Sequence, residues 1–269
     1  ELQRVKRAIK GSDACFVLGW QRLIPESLLN IPKHGFFGGH SAPGDIWAYR
    51  GRSPANWSII LGKKELWVYL QKLSKNADEG SIIDKRRVLI TKVDDIESLY
   101  LKIAICCAEM FGKLYEKLKQ GIPIAGKQQP KKGKYLPKRL PEDGAIDWTL
   151  PADKIYDLVR ALTDPYPSAY TYYNGKLVAI KKGIPWPDYK HKTYPGTILH
   201  VTKDNKLIVS CGKGAFIITK YVPESISFEV GTKFESISFM YTVKRIIDRH
   251  LSRGKPQPIT EDVLALLEK

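Results

Sequence analysis

From residue 96 to 120, apolar side chains return at Ile96, Leu99, Ile103, Cys106, Met110, Leu114 and Leu118. Steps of three and four put them on one helical face, so the spacing predicts a long amphipathic helix closing a first domain against a sheet. Strand patterns precede it at 14–18, at 35–39 and at Leu66-Trp67-Val68-Tyr69-Leu70, the last rich in aromatic and β-branched residues. Downstream, 152–162 reads as a helix packing Ile155, Leu158, Val159 and Leu162. Five short strands follow at 169–173, 177–180, 197–201, 207–210 and 215–221, and Asn174-Gly175 marks a hairpin between the first two. Strands of that number and spacing suit a small OB-type barrel, with closing helices at 241–251 and 260–267. The stretch 121–144 is rich in Pro, Gly and Lys without an apolar period, which is a linker pattern. The expected organisation is an α/β domain over 1–120, a basic linker over 121–144 and a β-barrel domain over 145–269.

A chain of 269 residues is long enough for two domains, each burying a core of its own. No apolar run approaches the ~18 residues of a membrane helix, and no signal-peptide pattern starts at Glu1, so a cytoplasmic protein with no membrane partner is expected. Cys15, Cys106, Cys107 and Cys211 have neither zinc-site nor disulfide-framework spacing and read as reduced thiols. His34, His191, His200 and His250 lack ligand spacing, and no metal is expected. The net charge of +16 favours anionic partners. Lys127, Lys131, Lys132, Lys134, Lys138 and Arg139 concentrate it in the linker, with Tyr135 among them as a stacking candidate for RNA. A solvated linker is often equally basic and binds nothing. A nucleotide sugar is an anion too, so charge alone does not separate the two partners.

Chemistry enters at two loops. Gly35-Phe36-Phe37-Gly38-Gly39 reads as a buried strand ended by glycines, which makes His40 the first side chain beyond it. In open α/β sheets ligands bind at the carboxyl ends of strands. Asp78 lies in the polar segment after Leu66–Leu70, so neighbouring strands would let His40 and Asp78 meet across a crevice. A carboxylate beside a histidine raises its basicity or fixes its tautomer for proton transfer.

Three blocks together resemble a known family: His40-Ser41-x-Pro43, then Arg50-Gly51-Arg52-Ser53-Pro54-Ala55-Asn56-Trp57, then Asp78-x-Gly80-x-Ile82. They look like the catalytic core of the folate-dependent formyltransferases, which include methionyl-tRNA formyltransferase and the amino-sugar N-formyltransferases. A fourth block, Pro137 through Trp148 with Val159 through Tyr170, is similar to the family's linker and the start of its C-terminal domain. The resemblance covers roughly residues 12–222 and implies a Rossmann-like formyltransferase domain, partial at its N-terminus, followed by the OB-like domain. The family's β-α-β-α-β opening needs roughly 60 residues, whereas twelve precede Asp13 here; sequence upstream of Glu1 is expected to carry it.

The resemblance implies formyl transfer from N10-formyltetrahydrofolate to a primary amine, with no metal. His40 would stabilise the oxyanion or relay a proton, and Asp78 would orient His40 and help take the amine's proton. Trp20, Gln21, Leu23, Ile24 and Pro25 match the segment bordering the pterin, and Lys75, Asn76 and Ala77 the loop on its other side. The Arg50–Trp57 loop looks closest to the aminoarabinose formyltransferase version, which makes Arg50, Gly51, Arg52 and Asn56 substrate-binding candidates for a nucleotide amino sugar. A carboxylate partner for Arg50 and Arg52 is the plainer alternative. A tRNA acceptor, a non-catalytic folate- or RNA-binding relative and a homodimer are further options. One departure stands out. The family usually has an asparagine two residues before the histidine, and here that position is Gly38. A water, a backbone N–H near Gly38-Gly39, or Asn76 would have to supply the missing donor.

Overall fold

The computed structural model describes residues 2–20, 22–254 and 256–268. Its first part runs α1 (Leu2–Ile9), β1 (Cys15–Val17), α2 (Glu26–Leu29), β2 (Phe36–Ala42), β3 (Arg50–Gly51), α3 (Pro54–Ile60), β4 (Glu65–Lys72), β5 (Ser81–Leu89) and α4 (Ile96–Lys119). Four strands form a mixed sheet in the order β1-β2-β4-β5, in which β1 and β2 are parallel and the other neighbours antiparallel. Strand periodicity divides β4 between the two faces. Leu66, Val68 and Leu70 join the main core with Trp57, Leu99 and Phe111, while Tyr69 packs with Ala42 and Ile46 on the other side. Helix α4 starts at a capping box, in which the Asp95 carboxylate accepts from the Ser98 N–H at 2.9 Å and the Ser98 hydroxyl from the Asp95 N–H at 3.0 Å. It buries Ile96, Leu99, Met110 and Leu114 as the spacing predicts, with Phe111 in addition.

The second part comprises β6 (Tyr135–Leu136), α5 (Ala152–Ala161), β7 (Ala169–Tyr173), β8 (Lys176–Trp186), β9 (Ile198–Val201), β10 (Leu207–Ser210), β11 (Ala215–Val222), α6 (Phe239–Leu251) and α7 (Glu261–Leu264). Its antiparallel sheet has the order β7-β8-β11-β10-β9. Residues 231–235 bridge the two edges: the Glu235 N–H reaches the Tyr172 carbonyl, and the Phe234 N–H the Gly196 carbonyl, each at 2.9 Å. Trp148 stacks on Phe234 at a centroid distance of 5.5 Å inside this wall. Asn174 and Gly175 both have positive φ, as a tight hairpin of this kind requires. Strand β8 continues well past residue 180, because pairing with β11 carries it through Lys181-Lys182 and Pro185, where apolar periodicity fails.

The stretch 121–144 is not a free linker. Lys127 bridges Ile82, β6 pairs in parallel with β3, and Pro141–Gly144 is a 3-10 turn. Tyr135 is half-buried with its hydroxyl toward Glu79, so it is no exposed stacking residue, and Lys134 is paired with Glu261. Polar backbone in this stretch finds partners on both domains, which an apolar-period test does not register.

A buried polar cluster ties the two parts together. Arg160 on α5 binds Asp157 at 2.8 Å and donates to the carbonyls of Thr91 at 2.9 Å and Asp94 at 2.5 Å. The Asp94 carboxylate is 4% exposed and accepts from Lys102 and from the N–H and hydroxyl of Thr91, each at 2.7 Å. Burial opposes its charge, but those hydrogen bonds prevail and hold its pKa at about 2, below the usual 3.8. The resulting stabilisation is complete above the unfolded value and is lost as pH falls toward 2. Asp94→Asn should therefore cost about 1–3 kcal/mol near neutrality, and its unfolding midpoint should be less sensitive to pH between roughly 4 and 2 than that of the unsubstituted protein; equal slopes in denaturant titrations across that window would contradict this.

Candidate active site

His40 lies within β2 rather than beyond its end. Strand pairing continues through Ser41 and Ala42, opposite Val68 and Trp67, and His40 itself sits opposite Tyr69. The two preceding glycines therefore do not end the strand. A Cβ on Gly38 would come within 2.9 Å of the Leu73 side chain, and one on Gly39 within 3.1 Å of the Cys107 sulfur, so close neighbours on opposite faces account for both. Alternation puts residues 38 and 40 on the Leu73 face, away from α4.

The β4–β5 connection folds back over that face and brings Asp78 to His40. His40 Nδ1 lies 3.4 Å from Asp78 Oδ1, with both side chains largely shielded. Asp78 has φ 55°, a left-handed conformation that aims its carboxylate inward. Its second oxygen accepts from the Gly51 N–H at 3.0 Å. Gly51 has φ 100°, and a Cβ there would meet the Leu136 carbonyl at 2.7 Å, so β3 can lie against β6 and offer its N–H only as glycine. The glycine of Asp-x-Gly is as constrained, since a Cβ on Gly80 would fall on the Lys72 carbonyl. Gln129 secures the turn by donating to the Asp78 carbonyl at 3.1 Å and the Gly80 carbonyl at 2.5 Å. His40 Nε2 is buried and has no protein partner.

Other candidates fall elsewhere. Arg50 is fully buried; it donates to Glu79 at 3.1 Å and to the carbonyls of Pro130 at 2.6 Å and Lys131 at 3.2 Å. It is thus a structural pin and not a substrate fork, because it is wholly buried and its two Nη atoms are held by Glu79 and by the carbonyls of the 130–131 segment. Asn56 is also buried, its amide N–H bound to the Ala161 carbonyl at 2.7 Å, which removes it from the His40 crevice. Gly51 acts on Asp78, and Arg52 is exposed beside it. Trp20 and Leu23 are exposed, Pro25 is exposed and Ile24 half-buried on the loop after β1; Gln21 lies outside the described residues. Lys75, Asn76 and Ala77 are exposed, and the Asn76 amide donates to Glu79 at 2.8 Å.

Residues missed in the sequence are the supports. Glu79 receives Arg50, Asn76 and, at 3.4 Å, the Tyr135 hydroxyl. Burial raises the Tyr135 pKa against the opposing pull of Arg50, keeping the phenol a donor. The only sequence signal for Glu79 was its place inside the Asp-x-Gly turn, and Tyr135 carried none for this role. Among the described residues, no cluster of three His, Cys, Asp or Glu side chains could hold a metal, and no helix is long and apolar enough to cross a membrane.

Residues 1–111 match the family description "Formyl transferase" and residues 139–227 match "Formyl transferase, C-terminal domain". The chain belongs to the formyl transferase family. This bears out the resemblance carried by the motif blocks, and the boundary between the two matches falls in the 112–138 stretch. The chain is 35% identical over 208 residues to the methionyl-tRNA formyltransferase of Caldanaerobacter subterraneus subsp. tengcongensis, covering 77% of this chain and 65% of that protein. It is 36% identical over 209 residues to the bifunctional polymyxin resistance protein ArnA of Wigglesworthia glossinidia brevipalpis, covering 75% of this chain and 30% of that protein. It thus spans less than two thirds of either relative. Its fold is similar to an N-formyltransferase from Helicobacter canadensis solved with folinic acid and dTDP-3-aminofucose, with TM-score 0.59, 18% identity, and coverage of 81% of this chain and 77% of that one.

The Gly38–Leu73 contact makes a stability prediction. Gly38→Asn should destabilise by about 1–3 kcal/mol through overpacking, and adding Leu73→Ala should recover part of the loss; denaturant midpoints that are simply additive would show that the two side-chain volumes do not compete.

Proposed function

We propose that this chain carries an N-formyltransferase site that moves a formyl group from N10-formyltetrahydrofolate to a primary amine. The observation that carries the reading is the His40–Asp78 pair, with Nδ1 facing the carboxylate at 3.4 Å and Nε2 shielded and unpartnered. A carboxylate on Nδ1 favours the tautomer that leaves Nε2 free to exchange a proton with a ligand. The folate co-substrate supplies the formyl carbon on N10. The exposed apolar side chains Leu18, Trp20 and Leu23 follow β1, whose Val17 pairs with Gly38, and offer a flat ring a surface next to the pair. The exposed loop of Lys75, Asn76 and Ala77 is the second border.

In this reading His40 Nε2 takes the proton released as the amine nitrogen bonds to the formyl carbon, and returns it to N10 as the N10–carbon bond breaks. Asp78 steadies the imidazolium formed between those events, and the Gly51 N–H keeps the carboxylate from turning away. With Leu73 beside Gly38, no side-chain amide serves the developing oxyanion from that position. His40 then carries that duty with ordered water or backbone N–H groups.

For the acceptor, an amino sugar on a nucleotide remains the preferred reading. It rests on the Arg50–Trp57 loop resemblance and the fold shared with the dTDP-3-aminofucose-bound enzyme, and Arg52 is the remaining arginine exposed there. A tRNA acceptor is the second reading, favoured by the 35% identity to methionyl-tRNA formyltransferase and the charge of +16.

Full-length protein should be assayed with formyltetrahydrofolate against nucleotide amino sugars and methionyl-tRNA side by side. His40→Ala and Asp78→Ala should each lower kcat/KM by about 10²–10⁴-fold while leaving the unfolding midpoint within a few degrees. Unchanged rates in both variants would overturn the assignment, and folate binding without turnover of any amine would favour a binding protein.

A further inference from the structure

The C-terminal segment that includes α7 lies beyond both stretches that match the family, yet its backbone is bonded to the strands that hold Asp78. β3 gives two bonds to β6, from the Arg50 N–H to the Lys134 carbonyl at 3.0 Å and from the Arg52 N–H to the Leu136 carbonyl at 3.2 Å. Alternation turns the Gly51 N–H the other way, onto the Asp78 carboxylate at 3.0 Å. It likewise turns Tyr135 outward, its N–H on the Pro258 carbonyl at 2.7 Å and its carbonyl receiving the Thr260 N–H at 3.2 Å. Asp78, β3, β6 and residues 258–260 therefore lie side by side across one narrow ribbon. Two paired strands of two residues each are marginal alone, so the outer edge decides how firmly Gly51 is held. Ile259, Thr260 and Val263, all buried, anchor that edge.

Side chains close the same path. The Asp262 carboxylate accepts from the Tyr49 hydroxyl and pairs with Lys63 at 2.9 Å, and Glu261 pairs with Lys134. Tyr49 immediately precedes Arg50, whose guanidinium binds Glu79 in the Asp78 turn. Its ring also bears on the histidine side. A Cβ on Gly44 would meet that ring at 2.8 Å, the Gly44 carbonyl accepts from the Tyr69 hydroxyl at 2.8 Å, and Tyr69 lies opposite His40. Burial and the Asp262 carboxylate raise the Tyr49 pKa, so the phenol stays a donor near neutrality.

We propose that the C-terminal segment is a latch on the His40–Asp78 pair, with Tyr49 and Asp262 as its positioning residues. When the latch is closed, β6 fixes β3 and the Gly51 N–H holds the carboxylate toward His40. When it is released the ribbon loosens, the carboxylate turns, and His40 loses its bias toward the Nδ1–H tautomer. Both residues act through Asp78, so kcat falls while KM holds. The effect on turnover rests on the formyl-transfer reading; the effect on the His40 ring does not.

The test is nitrogen-15 NMR of the full-length protein with labelled histidines, His40 being identified by His40→Ala, together with steady-state kinetics on the amine that is turned over. The unsubstituted protein should show neutral His40 as a single Nδ1–H tautomer. Tyr49→Phe and Asp262→Ala should each give a tautomer mixture and lower kcat about tenfold with KM within about twofold, and the double variant should lose no more than either single one. Asp262→Asn keeps an acceptor for the Tyr49 hydroxyl and should hold kcat within about threefold of the unsubstituted value. Asp94→Asn, destabilised outside the ribbon, should keep both tautomer and kcat. An unchanged tautomer in Tyr49→Phe and Asp262→Ala, an unchanged kcat in both, or an equal change in Asp94→Asn would each overturn the proposal. If the unsubstituted protein turns over no amine, the formyl-transfer reading fails and the tautomer alone decides on the latch.

Discussion

The Asp78 carboxylate divides its oxygens between the His40 ring and the Gly51 N–H, and the arrangement of the first domain follows from making that division possible. A carboxylate held on both oxygens cannot rotate, so the imidazole facing it keeps one tautomer and one direction. The Asp78 backbone is left-handed to reach this position, and Gln129 binds the strained turn from outside. Arg50 sits beneath, its charge neutralised by Glu79 and its Nη atoms also donating to two carbonyls from the 130–131 segment. Removing it would leave Glu79 half-buried without its cation, which is why an arginine adjacent to the site belongs to its foundation.

The clamp also depends on the second domain. Gly51 offers its N–H because β3 is held by β6, and β6 is in turn flanked by Ile259 near the C-terminus, with the Tyr135 N–H on the Pro258 carbonyl at 2.7 Å. The Asn56–Ala161 bond and the Arg160 cluster close the same seam at other points. The second-domain sheet and the sheet that carries His40 therefore share a polar interface that sets the position of one backbone N–H.

The pair at the centre of the proposed site was legible in the residue order. His40 and Asp78 stood out because a glycine-rich strand and an Asp-x-Gly turn are local patterns, whereas Gly51 was read as a substrate-binding residue and its N–H on Asp78 is visible only in the fold. The helix 96–120 and the Asn174-Gly175 hairpin were legible for the same reason, since one turn or one helical face leaves its period in the chain. Arg50 and Asn56 were misread as ligand groups because a buried arginine and an exposed one look alike in sequence. The linker was misread because hydrogen bonds to distant carbonyls have no period.

The sequence by itself determined the family and the order of its two domain matches, and it brought out His40 and Asp78 as the candidate pair, because those depend on residue type and short-range spacing. Only the tertiary structure decided that His40 sits within a strand on a sheet face, that Leu73 occupies the space beside Gly38, and which arginines are spent internally. Those outcomes turn on which groups from remote segments reach one another first, and a buried polar atom takes whichever partner the packing brings within hydrogen-bond distance.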